Sequence, residues 1–324
     1  MSSEASPPED RWPDRWLVLR IPMPRDPVRR ERVVDFLMEG GLGDARPRGV
    51  EEQEGGLVVY LPPPPDARGG VGAVVERVRQ GLRDLDEERA SDEVRPGWQA
   101  HEAWAEHWRA GFGTRRITPR IVVTPSWEPV QAEPGDLVLV VDPGMAFGTS
   151  EHPTTRGCLR LLDRHVETGS RWADVGAGSG ILAMACALLG ARSVLALELD
   201  PWACTAAREN LERNGLTETV RVESRAVGPE FLSGEDPFDG IVANIEAGIL
   251  RPLVAGFARG LRPGGLLVLS GILLAEAPEM REVAEAAGFR FLEEDREEEW
   301  WSCAFRRASG ADVAPATGGP PPPP

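Results

Sequence analysis

Lysine is absent from this sequence: all 36 basic side chains are arginine, and 52 acids outnumber them for a formal net charge of −16. A nucleic-acid binder needs a basic face, so direct DNA or RNA recognition is disfavoured. A basic protein is the better-matched partner, because opposite charge speeds encounter. Long apolar runs are absent too. The longest, Ile181 to Leu189, falls far short of the roughly 18 residues of a membrane span, so no membrane partner is expected. Cysteine is scarce. Cys158, Cys186, Cys204 and Cys303 are scattered and form no C-x-x-C pair, which excludes a disulfide framework and a zinc site. They read as small buried hydrophobes in a reducing cytoplasm, and no metal ion is expected. The first residues lack a basic n-region and an apolar h-region, so no secretory signal is visible.

What is present suits a globular protein. At 324 residues, a prior of about 150 residues per domain gives roughly two domains. Residues 1–13 carry Pro7, Pro8 and Pro13 among charges and serines, and residues 308–324 end in Gly-Gly and five prolines. Both tails are expected to be disordered. Trp16–Ile21 and Gly56–Leu61 read as strands, and Pro27–Met38 and Val71–Leu85 as amphipathic helices. This β-α-β-α order predicts a small ferredoxin-like α+β domain over residues 14–95.

Residues 96–150 read as a linker: a helix over 98–112 with Trp104 and Trp108 on one face, then short strands at Ile121–Val123 and Leu137–Val141. From 151 to 307 strands and helices alternate, with strands at 171–175, 193–198, 219–223, 239–243 and 265–270. That rhythm predicts an α/β, Rossmann-like, doubly wound and mostly parallel sheet. Two close strands near 289–294 and 301–306 predict an antiparallel edge hairpin.

The strongest local signal is Asp174-Val-Gly176-Ala-Gly178-Ser-Gly180, at the turn from the first long strand into a helix. Glycines there let the backbone approach a ligand, and the helix start offers free N–H groups. A dinucleotide turn would read G-x-G-x-x-G; here the third glycine comes one position early and Ile181 takes its place. Glu198 ends the next strand, where an acid reaches ribose hydroxyls. This pairing resembles the class I S-adenosylmethionine-dependent methyltransferases. Asn244 ends the fourth sheet strand, where open α/β sheets place ligands, and offers both a donor and an acceptor. An Asn there is otherwise a common turn residue.

A further stretch, Val141-Asp-Pro-Gly-Met-Ala-Phe147-Gly148-Thr149-Ser150-Glu151-His152-Pro-Thr154-Thr155, narrows the resemblance. It is similar to the D-P-G-x-A-F-G-T-G-x-H-x-T-T segment of the ribosomal protein L11 methyltransferases. Trp104 to Trp108, Pro125-Ser126-Trp127, Asn244-Ile245, Ser270-Gly271-Ile272-Leu273 and Glu299-Trp300 extend the match over residues 15–307. The resemblance implies S-adenosyl-L-methionine as cofactor and methylation of lysine side chains of ribosomal protein L11, with its N-terminal amine as a further target. It also implies substrate recognition by the N-terminal domain and a cytoplasmic setting. It assigns Thr155, Gly176, Glu198 and Asn244 to the cofactor, with Gly178 and Asp174 in the same turn. Phe147 and Gly148 would close beside the methyl, and Asn244 is the catalytic residue, holding the target amine. His152 reads as a loop-ordering hydrogen bond.

Three departures from the family pattern stand out: Ser150-Glu151 where Gly and a variable residue are usual, Glu198 for a common Asp, and Glu246 for a common Leu. If the usual Gly needs positive φ, Ser150 is strained or the loop differs. Glu246 would attract a protonated amine or simply face solvent. A lysine methyltransferase acting on another protein, and a cofactor-binding module without catalysis, share the same core. A dehydrogenase is disfavoured by the glycine spacing and by the lack of a catalytic His or Tyr. GC-rich coding is the simplest account of the missing lysine; avoidance of self-modification is a second.

Overall fold

Two sets of strands bury apolar side chains independently, and the chain divides accordingly into residues 1–111 and 112–324. The computed structural model describes residues 15–24, 26–38, 42, 45, 47, 49–53, 55–64, 69–100, 112–142, 148–225, 227–228 and 235–309. Both expected disordered tails, Trp104, Trp108 and Phe147 lie outside them, apart from residues 308 and 309.

The first unit runs β1 (Arg15–Pro22), α1 (Pro27–Met38), β2 (Gly49–Gln53), β3 (Gly56–Leu61), α2 (Gly69–Asp84), the short α3 (Glu88–Asp92) and β4 (Arg95–Ala100). Its sheet has the order β2-β3-β1-β4 and is antiparallel throughout. This is the β-α-β-β-α-β ferredoxin-like arrangement. Leu17, Leu19, Ile21, Leu57, Val59 and Leu61 pack on one face with Val33, Leu37, Val78 and Leu82 from the helices. Sequence periodicity overlooks β2 and β4, which are the two edges. Edges tolerate polar residues and Pro, as in Gly-Val-Glu-Glu-Gln and Arg-Pro-Gly-Trp-Gln-Ala. Two expectations are corrected here. Trp98 to Ala100 belong to a strand rather than a helix, because they pair with β1. For the same reason the first sheet continues beyond residue 95.

The second unit begins with a small sheet of β5 (Arg115–Arg116), β6 (Ile121–Thr124) and β7 (Leu137–Val140), in which β6 and β7 are parallel. Then come α4 (Pro153–His165), β8 (Arg171–Val175), α5 (Ile181–Leu188), β9 (Ser193–Glu198), α6 (Pro201–Arg213) and β10 (Val220–Ser224). They are followed by β11 (Phe238–Asn244), α7 (Ala247–Gly260), β12 (Leu261–Leu273), α8 (Ala277–Ala286), β13 (Phe289–Glu297) and β14 (Trp300–Arg307). The seven-stranded order is β10-β9-β8-β11-β12-β14-β13. The first five strands are parallel, and β13 and β14 form the expected antiparallel hairpin. Helices cover both faces. Leu159, Leu162, Met184 and Leu211 pack with Trp172, Val242 and Val268. On the other face Leu250, Val254, Phe257 and Met280 pack with Val175, Ile241 and Leu267.

Strand order reverses between β8 and β11. Open α/β sheets hold their ligands in the crevice beyond such a reversal. One side of that crevice is set by α4. Its arginines at 156, 160 and 164 recur at helical spacing and meet acids recurring at strand spacing on β13. Arg156 and Arg160 donate to Glu297 and Arg160 also to Asp295 at 2.6–2.8 Å, while Arg164 and His165 pair with Glu293. The two periods match because four helix residues rise about 6.0 Å and two strand residues about 6.8 Å. Arg160→Ala should lower unfolding free energy by about 1–3 kcal/mol, since it leaves two partly buried carboxylates without their shared cation. Arg160→Lys should recover only part of it, lacking the planar fork. A denaturation midpoint unchanged by Arg160→Ala would show that the ladder adds nothing to stability.

Candidate active site

Beyond β8 the chain turns through Gly176, Gly178 and Gly180, all left-handed at φ 75°, 52° and 80°, before α5 begins. Side chains rarely adopt this conformation, and glycine adopts it at no steric cost. A Cβ at Gly176 would also lie 2.5 Å from Ile245 Cγ2. The turn is fastened from β9: Gly176 and Ala177 donate to the Leu197 carbonyl at 2.9 and 3.0 Å. Glu198 then gathers three backbone donors, Gly178 N–H at 2.9 Å on one oxygen and Leu199 and Asp200 N–H at 2.8 and 2.9 Å on the other. The extra methylene relative to Asp gives the carboxylate reach to both turns. Leu199 follows, 57% exposed.

Asp174, one residue before the end of β8, is fully buried. One oxygen accepts the Ala183 N–H at 2.9 Å at the start of α5, while Oδ1 has no hydrogen-bond partner. Burial pushes its carboxyl up to about 7, helped by the nearby Glu198 charge and opposed by the Ala183 bond. Asn244 ends β11 at 8% exposure. Its Nδ2 donates to Thr155 Oγ1 at 3.5 Å, and its Oδ1 is buried without a partner.

Thr155 reaches this place because the start of α4 is strongly fixed. His152 caps the helix, its Nδ1 accepting from the Thr154 N–H at 3.3 Å and meeting the Thr154 hydroxyl at 2.6 Å. The ring packs edge-on against Trp300. Arg156 donates to the carbonyls of Ser150 and Glu151 at 3.0 and 2.5 Å. Glu151 is paired with Arg115. Ser150 is unstrained: among the described non-glycine residues only Asp86 and Glu298 have positive φ. Glu246 is exposed just before α7 and makes no capping bond.

The structure thus brings together Gly176, Gly178, Asp174, Glu198, Asn244 and Thr155 at one end of the sheet. Gly148 joins them, its carbonyl accepting the Ser179 hydroxyl. Among the described residues no cluster of His, Cys, Asp or Glu could hold a metal, and no helix is long and apolar enough to cross a membrane. A left-handed glycine turn, an acid at the end of β9 and two unpaired buried acceptors fit a ligand with hydroxyl, amine and cationic groups.

A family model described as Ribosomal protein L11 methyltransferase (PrmA) matches residues 73–308. The chain belongs to the ribosomal protein L11 methyltransferase family. It is 36% identical over 280 residues to the ribosomal protein L11 methyltransferase of Streptococcus pneumoniae, covering 86% of this chain and 85% of that one. Against the Chloroflexus aurantiacus enzyme of the same name it is 39% identical over 253 residues, covering 72% and 77%. The crystal structure of ribosomal protein L11 methylase from Lactobacillus delbrueckii subsp. bulgaricus superposes with a TM-score of 0.56 at 30% identity, over all of that chain and 61% of this one. As a member of this family the chain is an S-adenosylmethionine-dependent methyltransferase.

Reading the methyltransferase from sequence alone misses the amides that grip the end of β7. Asn214 donates to the Val140 carbonyl at 2.7 Å and accepts its N–H at 2.9 Å. Asn210 donates to the Ser179 carbonyl at 3.0 Å and accepts from Asp142 N–H at 3.3 Å. The available signal was helical spacing: Asn210 and Asn214 continue the stripe of Ala203 and Ala207 that faces the core.

Two groups here link stability to pH with opposite signs. Burial lowers the His152 pKa below its ordinary 6.5, so its contribution is complete above that value and is lost as pH falls through it. The Asp174 pKa is raised from 3.8 to about 7, so its contribution is complete below 3.8 and is lost as pH rises toward 7. Without cofactor, Asp174→Asn should therefore gain on the parent between pH 4 and pH 8, by up to roughly 4 kcal/mol. Denaturation curves whose difference stays flat across that range would refute the assignment.

Proposed function

We propose that this enzyme methylates lysine side chains of ribosomal protein L11, and its N-terminal α-amine, in the cytoplasm. The first unit recognises the protein and the second holds the reacting groups. The reading rests on the names of the relatives, on the net charge of −16, and on one geometric observation: the unpaired, buried Asn244 Oδ1 beside the glycine turn. No basic face for nucleic acid and no membrane contact are part of it.

Glu198 would hold the ribose end of S-adenosylmethionine beside the close-approaching backbone of the glycine turn, with Asp174, Thr155 and Gly148 lining the remainder. When bound, the cofactor supplies an electrophilic methyl group on a sulfonium. The chain's own task is to present a neutral amine in line with it. Thr155 engages the amide nitrogen of Asn244, which fixes that side chain so that Oδ1 faces away with its lone pairs free. An amine N–H donated to Oδ1 leaves the nitrogen lone pair pointing elsewhere along one direction. A lysine ammonium has a pKa near 10.4 in water, so it must lose a proton first; desolvation beside a cation lowers that value. No side chain is assigned as general base. Orientation of this kind can lower a barrier by roughly 7–11 kcal/mol.

Asn244→Ala should lower the single-turnover rate of methyl transfer to L11 by about 10- to 100-fold at saturating cofactor, an effect on the reacting geometry. Glu198→Ala should instead weaken cofactor binding by about 1–3 kcal/mol in calorimetry. A transfer rate within about twofold of the parent for Asn244→Ala would remove that residue from the catalytic role.

A further inference from the structure

The end of the sheet that carries Asn244 continues into a rim of unpaired charge and exposed apolar side chains. Asn244 pairs with Ser270 at the last register of β11 and β12. Beyond it the two chains stay together: Gly271 is left-handed, and a Cβ there would lie 2.6 Å from the Ile245 carbonyl. The next registers are Ile272 with Trp301 and Leu273 with Trp300, and Leu274 N–H donates to the Glu299 carbonyl at 2.8 Å. Glu246, Leu273 and the Glu298-Glu299 turn therefore follow one another along neighbouring chain ends, at a spacing of about 4.8 Å per strand.

The side chains on this rim are unlike those around it. On β13 every acid is engaged: Glu293, Asp295 and Glu297 with the α4 arginines, Glu294 with Arg296 and Trp301. The side chains of Glu298 and Glu299, at the tip of the same hairpin, are exposed and make no hydrogen bond or ion pair among the described residues; the same holds for the side chain of Glu246. Glu246 also occupies the residue before a helix, where a side chain usually caps, and does not cap. Four large apolar side chains are exposed among the described residues. Ile249 at 53% and Leu273 at 41% lie in this rim. At its foot is Asn244, more than nine-tenths buried, with an acceptor left unpaired.

We propose that Glu246, Ile249, Leu273 and the Glu298-Glu299 turn form the docking rim for the substrate segment around the target amine, and that this segment is basic with an apolar residue. Glu246, two residues past Asn244, receives the ammonium as it enters; the hairpin tip holds a second cation of the same segment. Three carboxylates without an ion pair, two of them within electrostatic reach of the His152 ring, select for positive charge, and the two aliphatic side chains bury against the segment once it is seated. The apolar face thus has one occupant, a cationic stretch of the protein substrate. The inference rests on Asn244 marking the transfer centre.

The test uses the full chain with purified ribosomal protein L11 and saturating cofactor. Glu246→Gln, Glu299→Gln and the double variant are compared with the parent at low and high salt, beside Asn244→Ala. Glu298 is left in place because its left-handed backbone complicates substitution. The double variant is expected to lower kcat/KM about 5- to 20-fold at low salt, through KM rather than kcat. Its salt dependence should be shallower, its cofactor affinity and melting temperature unchanged, and Glu246→Asp should restore most of the loss. A double variant within twofold of the parent, with the same salt dependence, overturns the rim; if Asn244→Ala still lowers transfer about 10- to 100-fold, the transfer centre stands without it. A loss seen in kcat alone, or equally at all salt concentrations, also overturns it. Should Asn244→Ala be as active as the parent, the centre and the rim fall together.

Discussion

The carboxylate of Glu198 accepts three backbone N–H groups from two separate turns, and the working end of the second unit is organised by that convergence. It joins the glycine turn after β8 to the turn that starts α6, across the two strands on one side of the order reversal. Charge-assisted bonds of this kind are about twice as strong as neutral ones. The turn in turn holds Ser179, which grips the Gly148 carbonyl, and Asn210 holds the Ser179 carbonyl from α6. Each link leads from one loop of the site to the next, so the position of the segment before α4 depends on a carboxylate two strands away.

Charge is arranged with the same economy. A chain with 52 acids and 36 arginines must leave some carboxylates without a cation. The arginines are spent along the α4–β13 contact and at the Arg115–Glu151 pair, where planar guanidinium forks meet two oxygens at once. Lysine could supply the charge but not the fork. The acids left over include those at the sheet's functional end, where a cationic substrate would find them.

Most of the second unit was legible in sequence because its strands are short, apolar and bounded by helices of clear period. The strands at 171–175 and 193–198 fall where the pattern puts them. The edges of the first sheet were not legible, since an edge strand need bury only one side and can carry Glu, Pro and Gly. Within the site, Gly176, Glu198 and Asn244 announce themselves through spacing on strand ends. The loop-ordering bond of His152 was legible and is made to Thr154, but the fixing of this segment by Arg156 was not, because it depends on which face of α4 meets β13, and no local pattern encodes a partner more than a hundred residues away. Ser150 is unstrained because this loop does not require the positive φ that its own Cβ disfavours, and Arg156 holds its carbonyl and its neighbour's.

Two buried acceptors without partners, Asp174 Oδ1 and Asn244 Oδ1, lie at or next to the ends of the two strands that flank the order reversal. Each such atom costs roughly 1–3 kcal/mol when left unpaired. A fold under no other demand would replace them, as apolar side chains of similar size fill the surrounding core. Their place near adjacent strand ends, with one carboxyl pushed toward neutrality, puts this cost where donors of a bound ligand would offset it. A ligand that donates to these atoms would satisfy polar groups the folded chain leaves unpaired, and affinity and stability would then be coupled through the same two atoms.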